Sequence, residues 1–459
     1  MVNPITVATN PASGCWQEHW QRRWYPVAYL EDLDRQKPTP FTLLGQDLVL
    51  WWHAGSGRWC AFADACPHRL VPLSDGRLNE RGELECPYHG WSFGGDGQCT
   101  LIPQAAPEQQ QTACASPRAR CRSFATASAQ GLLFVFAGDP DAATTVPMPL
   151  VPPLEEPGWL LQGTFRDLPM DALTVLENVL DVSHVPYTHH RTVGRRENAA
   201  PVVAELTRFD AEGFTAFWSE GPRKGRLGSQ HTTFVGPCLM WHDLTAKGFA
   251  RILTVVYATP IRPGECRIFA RFPFQFSSPL PKLLVGLRPR WLQHIANHTV
   301  LEDDQVFLHW QERALAARGG TERFEQACYL PTVSDLYVRA LHRWVREVGG
   351  TPFPGQSLGS RQGQAALMDR LEAHSRHCCS CRTAHRRLRL WRPRLLAAAV
   401  ALPLLALLVP AFFPATLGLA ALLTLAARQL GRWQRGLEQG SGEPPRNRND
   451  RRRSPLLRS

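Results

Sequence analysis

Two short motifs limit what this chain can fold into more than any other feature: Cys66-Pro67-His68 and, after seventeen intervening residues, Cys86-Pro87-Tyr88-His89. Each pairs one thiolate with one imidazole on a single tight loop. Two such loops side by side can clasp a [2Fe–2S] cluster, with both thiolates on one iron and both neutral imidazoles on the other. Imidazole brings no negative charge, so this cluster is easier to reduce than one held by four cysteines. Gly90 and Gly94 supply turns beside it. A structural zinc site also takes two cysteines and two histidines, but its motifs usually repeat like ligands, as C-x2-C and H-x3-H. The alternation found here is that of a Rieske centre.

Around these loops the sequence reads as strands. From Trp24 to about Gly138, short runs such as Asp47 to Trp52 and Gly131 to Phe136 are bounded by Gly, Asp and Pro. A proline-rich joint from Pro147 to Pro157 then marks a boundary. Beyond it lie a helical stretch (Met170 to about Val182), a strand-rich middle (about Val202 to Phe276) and a second helical stretch from Pro289 to Ala317. That order of segments is α+β. With the iron, membrane and family readings that follow, the expected architecture is an all-β Rieske domain, an antiparallel-sheet catalytic domain whose helices carry a mononuclear iron, and a C-terminal transmembrane hairpin. Expected boundaries are a lead at 1–22, the Rieske domain at 23–145, the catalytic domain at 146–350, and a linker with a His/Cys cluster at 351–394. The hairpin follows at 395–427 and a basic disordered tail at 428–459.

The second constellation is His184 and His189, an H-x4-H that can reach one metal if the helix bends or ends near Pro186. One carboxylate would complete a 2-His-1-carboxylate triad on non-haem Fe(II), leaving coordination positions open for O2 and substrate. Candidates lie far downstream in Glu302-Asp303-Asp304, with Asp303 and Asp304 in competition. On a helix such histidines are often ordinary surface or core residues, but a Rieske centre needs somewhere to send its electron. His190 is the spare, placed to support rather than to ligate. Trp218, Phe234, Trp241 and Phe249 are aromatic candidates for a pocket, although aromatics in strands more often form core.

The net charge of +11 is concentrated between Arg376 and Arg394 and between Arg428 and Arg458, on either side of an apolar run. That places it as membrane-flanking charge, not as a nucleic-acid footprint. The run, Leu395 to Ala427, is 33 uncharged residues broken by Pro403, Pro410 and Pro414. One helix of that length would be about 50 Å long, so two short helices returning to one face fit better. Each arm of about 15 residues spans only about 22 Å, which leaves a re-entrant hairpin open. Trp391 and Trp433 are suitable interfacial anchors. No signal or transit peptide is expected at the start, so thirteen cysteines in a reducing compartment point to metal ligands and free thiols.

The two constellations, in this order, resemble the Rieske non-haem iron oxygenases, and the wording is closest to the pheophorbide a oxygenase branch. The matching stretches are CPHRLVPLSDGRL from Cys66 to Leu78, CPYHGWSF from Cys86 to Phe93, IPQ from Ile102 to Gln104, ENVLDVSHVPYTHH from Glu177 to His190, and DQVFLHWQE from Asp304 to Glu312. The resemblance implies cluster ligands Cys66, His68, Cys86 and His89, and an iron triad of His184, His189 and Asp304. It makes Asp181 the carboxylate that bridges a cluster histidine to an iron histidine of a neighbouring subunit, hence a homotrimer. The branch also carries a C-terminal C-x2-C, matched by Cys378 and Cys381 with His374 ahead of them. These could form a redox-responsive dithiol or an idle linker; a metal is the less expected reading, because no second C-x2-C is present.

The activity so implied is oxygenation of an apolar tetrapyrrole, pheophorbide a or chlorophyllide-like, with O2 and electrons from a reduced ferredoxin. The cofactors are one [2Fe–2S] Rieske cluster and one mononuclear non-haem Fe(II). The setting is a lipid bilayer, thylakoid or plasma membrane of a photosynthetic prokaryote, with the catalytic body on the cytoplasmic side. Alternatives are a non-catalytic Rieske redox subunit or sensor of a membrane complex, and an oxygenase for another apolar aromatic or a carotenoid.

Overall fold

A computed structural model describes residues 19–246, 249–408 and 410–440. The first part of the expected N-terminal lead and the chain beyond 440 lie outside the described residues. Within the lead, Trp20 is buried and its indole N–H donates to the carbonyl of Gly349, 2.9 Å away.

The N-terminal domain holds three small antiparallel sheets. β1 (Trp24–Tyr29) pairs with the last strand of the domain; β2 (Thr39–Leu43), β3 (Gln46–His53) and β4 (Arg58–Ala63) form a meander. β5 (Arg77–Leu78), β6 (Leu84–Glu85), β7 (Ser92–Phe93) and β8 (Cys99–Leu101) make a four-stranded sheet beneath the two Cys/His loops. The helix α1 (Pro107–Ala115) follows, then β9 (Ser123–Phe124), β10 (Thr126–Ala129) and β11 (Leu132–Phe136). β10 and β11 are joined through Gln130 and Gly131, at φ 48° and 80°, the left-handed pair that a two-residue hairpin turn requires. A separate apolar core of Val49, Trp51, Phe62, Leu73, Leu84 and Phe93 packs behind Cys66 and Cys86.

The catalytic domain is built on a seven-stranded antiparallel sheet, ordered β12–β18–β17–β16–β15–β14–β13. These strands are β12 (Leu160–Leu168), β13 (Glu205–Asp210), β14 (Gly213–Trp218), β15 (Gln230–Val235), β16 (Leu239–Ala246), β17 (Phe249–Arg262) and β18 (Glu265–Phe276). α2 (Ala172–Leu180) lies against the sheet because Ala172, Leu173, Val175, Leu176 and Leu180 form one apolar face at helical spacing, and all are buried. Its main core is continuous with β1 and β11 of the first domain.

α3 (Arg290–Ala316) is different. Its buried side is mostly polar: His294, His298, Glu302, Asp303, Asp304, Gln305, His309 and Glu312. Charged groups go inside only when partnered. Glu302 is held by Arg166 at 2.7 Å and by Arg370 at 2.6 Å, all three buried, and Arg370 also donates to the carbonyl of Gly436 at 2.7 Å. α4 (Leu336–Trp344) packs on α2 and on β13 and β14.

Two long helices end the described chain, α5 (Cys379–Ala406) and α6 (Phe413–Glu438), packed on each other as a hairpin. Both outrun the expected apolar limits. α5 starts sixteen residues before Leu395, and α6 carries on to Glu438, into the segment expected as a disordered tail. Over 428–438 the chain is helical where a disordered tail was expected, and the reason is physical. Trp433 packs edge-on to Trp291 at 5.5 Å, and His385 pairs with Glu438 at 2.7 Å, so the basic turns of α6 have partners on α3 and α5. Only α6, among the described residues, is long and apolar enough to cross a membrane, and its apolar surface is almost wholly exposed.

Candidate active site

The two cluster loops are tight turns closed by their own backbone. The N–H of Leu70 donates to the carbonyl of Cys66 at 2.8 Å, and that of Gly90 to Cys86 at 3.1 Å. Gly90 has φ +72°, and a Cβ there would press on Pro103 at 3.1 Å. Gln104 steadies the second loop by donating to the carbonyl of His89 at 2.9 Å. The loops bring His68 and His89 together, ring centroids 4.6 Å apart, while Trp91 stacks on His68 at 4.7 Å. Cys66 and Cys86 are buried free thiols; burial pushes the Cys66 thiol up to about 11. Nδ1 of His68 is buried with no hydrogen-bond partner among the described residues. An imidazole nitrogen so placed, near two unoxidised buried thiols, suits a metal.

The second site forms where α2 stops. After Leu180 the chain makes a turn, then a one-turn helix Val185–Thr188 with Pro186 at its start, so His184 and His189 flank that turn. Their Nε2 atoms are 3.2 Å apart. Asp304, reaching in from α3, has Oδ2 at 3.2 Å from Nε2 of His189 and 3.8 Å from that of His184. These three ligand atoms lie within 4.8 Å of one another, and Oδ1 of Asp304 is buried with no partner among the described residues. Asp303 approaches the other edge of His189, its Oδ2 3.3 Å from Nδ1, and accepts from the Thr192 hydroxyl at 2.8 Å. Burial opposes a charge on His189, but hydrogen bonds to Asp303 and Asp304 outweigh it and push the ring up to about 9. Two adjacent carboxylates that spacing alone left in competition thus face opposite edges of one imidazole.

Asp181 caps the end of α2 and accepts from the backbone N–H of Ser183 at 2.8 Å; its Oδ2 lies 3.8 Å from Nδ1 of His184. Nδ1 of His184 is bonded to the Asp181 carbonyl. His190 turns away, its Nδ1 accepting from the N–H of Arg196 at 3.1 Å.

A cavity of about 330 Å³ opens beside this triad, lined by Val179, Val182, Trp218, Leu244, Val256 and Phe272 among others. Its deep polar group is His242, buried, with Nε2–H donating to the Val179 carbonyl at 2.9 Å and Nδ1 beside the Thr232 hydroxyl at 2.9 Å. Burial pushes this ring down to about 4, so it is neutral at pH 7. Arg195, Arg223 and Lys224 edge the cavity. Of the aromatics singled out in the sequence, Trp218 lines it. Phe234 is core against Phe214 and Trp344, and the side chain of Phe249 lies outside the described residues.

Cys378 and Cys381, expected as a dithiol or an idle pair, are fully buried. They stand with His374 and with His294 of α3, all four ligand atoms within 4.8 Å of one another. His294 lies eighty residues before His374, and its one nearby spacing, H-x3-H with His298, does not point to this group.

The family model described as Rieske [2Fe-2S] domain matches residues 23–122, and that described as Pheophorbide a oxygenase matches residues 234–322. Rice (Oryza sativa subsp. japonica) pheophorbide a oxygenase, chloroplastic, is 36% identical over 411 residues, 82% of this chain and 76% of that protein. The Arabidopsis thaliana protein of the same name is 36% identical over 415 residues, 83% of this chain and 75% of its own length.

The chain belongs to the pheophorbide a oxygenase family.

By that membership it is a Rieske non-haem iron oxygenase, with a Rieske [2Fe–2S] cluster and a mononuclear iron as its cofactors. The fold agrees. The QL mutant of Pseudomonas putida CBB5 NdmA, solved with theobromine, superposes with a TM-score of 0.57 at 21% identity, over 72% of this chain and 91% of that one. Dicamba monooxygenase bound to dicamba gives 0.55 at 24% identity, over 72% of this chain and 96% of that one. The bare His68 Nδ1 and the bare Asp304 Oδ1 are what a cluster and an iron, respectively, would need.

Proposed function

We propose that this protein oxygenates an apolar, carboxylate-bearing tetrapyrrole of the pheophorbide a or chlorophyllide class, using O2 and electrons from a reduced ferredoxin. The observation that carries the reading is the apolar cavity beside His184, His189 and Asp304, with cationic residues at its edge. Apolar walls suit a macrocycle, and Arg195, Arg223 and Lys224 suit a propionate or similar acid at the mouth. In this reading Cys66, His68, Cys86 and His89 hold the cluster, and His184, His189 and Asp304 hold the iron. When bound, the two groups supply one-electron transfer and O2 activation.

The protein's own residues then have defined tasks. Asp303 fixes the tautomer of His189 from behind, so that Nε2 is the free edge. The Asp181 carbonyl does the same for His184. His242 stays neutral in the cavity wall and offers no charge that would hold water there. The Asp181 carboxylate, near the surface, is the candidate contact to a cluster histidine of a neighbouring subunit in a homotrimer.

The bilayer is the proposed source of substrate. α6 supplies the apolar length, and the arginines around both ends of the hairpin favour the cytoplasmic face of a thylakoid or plasma membrane. The test is ferredoxin-dependent O2 uptake with pheophorbide a and chlorophyllide a, followed by mass spectrometry for added oxygen. Uptake and product should vanish in His184→Ala while the cluster signal stays. Unchanged uptake in that variant would leave a non-catalytic redox subunit as the better reading. Oxygen added only to a carotenoid or another aromatic would move the substrate class.

A further inference from the structure

The buried group His294, His374, Cys378 and Cys381 is not used by the activity described above. We propose that it is a structural zinc site that locks the C-terminal hairpin to the catalytic helix α3.

The geometry is that of a closed tetrahedron. Nδ1 of His294 lies 2.9 Å from Nε2 of His374, 3.3 Å from Sγ of Cys381 and 3.6 Å from Sγ of Cys378. Nε2 of His374 is 3.4 Å from Sγ of Cys381. Bonds of about 2.0 Å to nitrogen and 2.3 Å to sulfur give tetrahedral edges of about 3.3 to 3.8 Å, which these distances nearly match. An S2N2 donor set with four protein ligands and no open position is a structural site, not a catalytic one.

The surroundings are arranged as a metal would require. Nε2–H of His294 donates to the carbonyl of Gly163 at 2.9 Å, which leaves the Nδ1 lone pair facing the group. All four residues are at most 1% exposed. Two thiolates and a dication sum to zero charge, so the loaded site adds no net charge to the interior. Arg290 and Asp32, charged neighbours of the thiols, pair with each other at 2.8 Å. Burial also removes the thiols from direct attack by a partner thiol, which a redox dithiol needs. What the site joins is clear from the chain: His294 belongs to α3, while Cys378 caps α5 and Cys381 lies in its first turn.

The experiment is metal analysis of the detergent-purified, iron-loaded full chain by plasma mass spectrometry, with intact mass of the denatured protein. One zinc per chain beside the iron is expected, with both thiols reduced. Cys381→Ser and His294→Ala should each lose most of the zinc, while the iron content and the Rieske signal report that the body has folded. Cys379→Ser, next to the site but outside the ligand set, should keep it. Growth in cobalt should give a thiolate-to-cobalt absorption band that Cys381→Ser removes. A wild type without zinc, a Cys378–Cys381 disulfide (two hydrogens lighter), a fourth iron in place of zinc, or zinc retained in both ligand variants would each overturn the proposal.

Discussion

Asp303 meets the Nδ1 edge of His189 at 3.3 Å, opposite the Nε2 edge that faces Asp304. Neighbours in sequence thus have different work. Asp304→Ala is expected to lower iron from about three to about two atoms per chain, cluster iron remaining, and to abolish O2 uptake. Asp303→Asn should keep the third iron but bind it about 10- to 100-fold more weakly. Iron titration of both variants checks this; a stronger loss in Asp303→Asn would reverse the assignment.

Arg223 at the cavity mouth gives a second prediction. If it meets a substrate carboxylate, Arg223→Ala should raise KM for the free acid by about two- to five-fold, an exposed ion pair's worth. The methyl ester of the same substrate should be unaffected. Equal changes for acid and ester would show that the arginine shapes the loop and does not read charge.

Glu302 balances two buried guanidinium groups, Arg166 and Arg370. Removing its charge leaves both uncompensated. Glu302→Gln should therefore destabilise the catalytic domain by about 3–5 kcal/mol. Denaturant unfolding of the iron-loaded protein would measure it, and a loss below 1 kcal/mol would mean that water reaches the pair.

His242 predicts a pH dependence. Its ring is pushed down to about 4 in the folded chain, mainly by burial, against 6.5 when unfolded. Its contribution to stability is full above pH 6.5 and is lost as pH falls towards 4, because only the unfolded chain then takes the proton. Melting temperature should drop across that window, and His242→Gln should flatten the drop. An unchanged slope in the variant would assign the acid sensitivity to other groups.

The cluster loops, the break between His184 and His189, and the α2, sheet and α3 segments were legible because each is local: a motif, a proline, a period. Glu302, Asp303 and Asp304 were not separable by spacing, since three adjacent carboxylates look alike in a row, and only the family resemblance pointed to Asp304. On a helix they diverge by about 100° per residue, and one finds two arginines, one the back of an imidazole, one the open edge of the triad. His294 was illegible for a related reason. Its partners are on a distant segment, and its local spacing, H-x3-H with His298, points to a residue outside the group. The length of α6 was underread because its last turns are basic, yet Trp433 and Glu438 find partners in the folded chain that hydropathy does not weigh.

α3 carries His294 near one end and Asp304 ten residues on, about 15 Å along a single axis. For a chain held at a lipid surface, that rod is a ruler. With the hairpin in a bilayer, as proposed above, it would fix one mark and the carboxylate of the reaction centre another, so the standoff between bilayer and oxygen chemistry would follow a count of residues rather than the sway of a tether. Inserting one helical turn between the two marks would lift the centre by about 5.4 Å, and would change which part of a half-extracted pigment comes within reach.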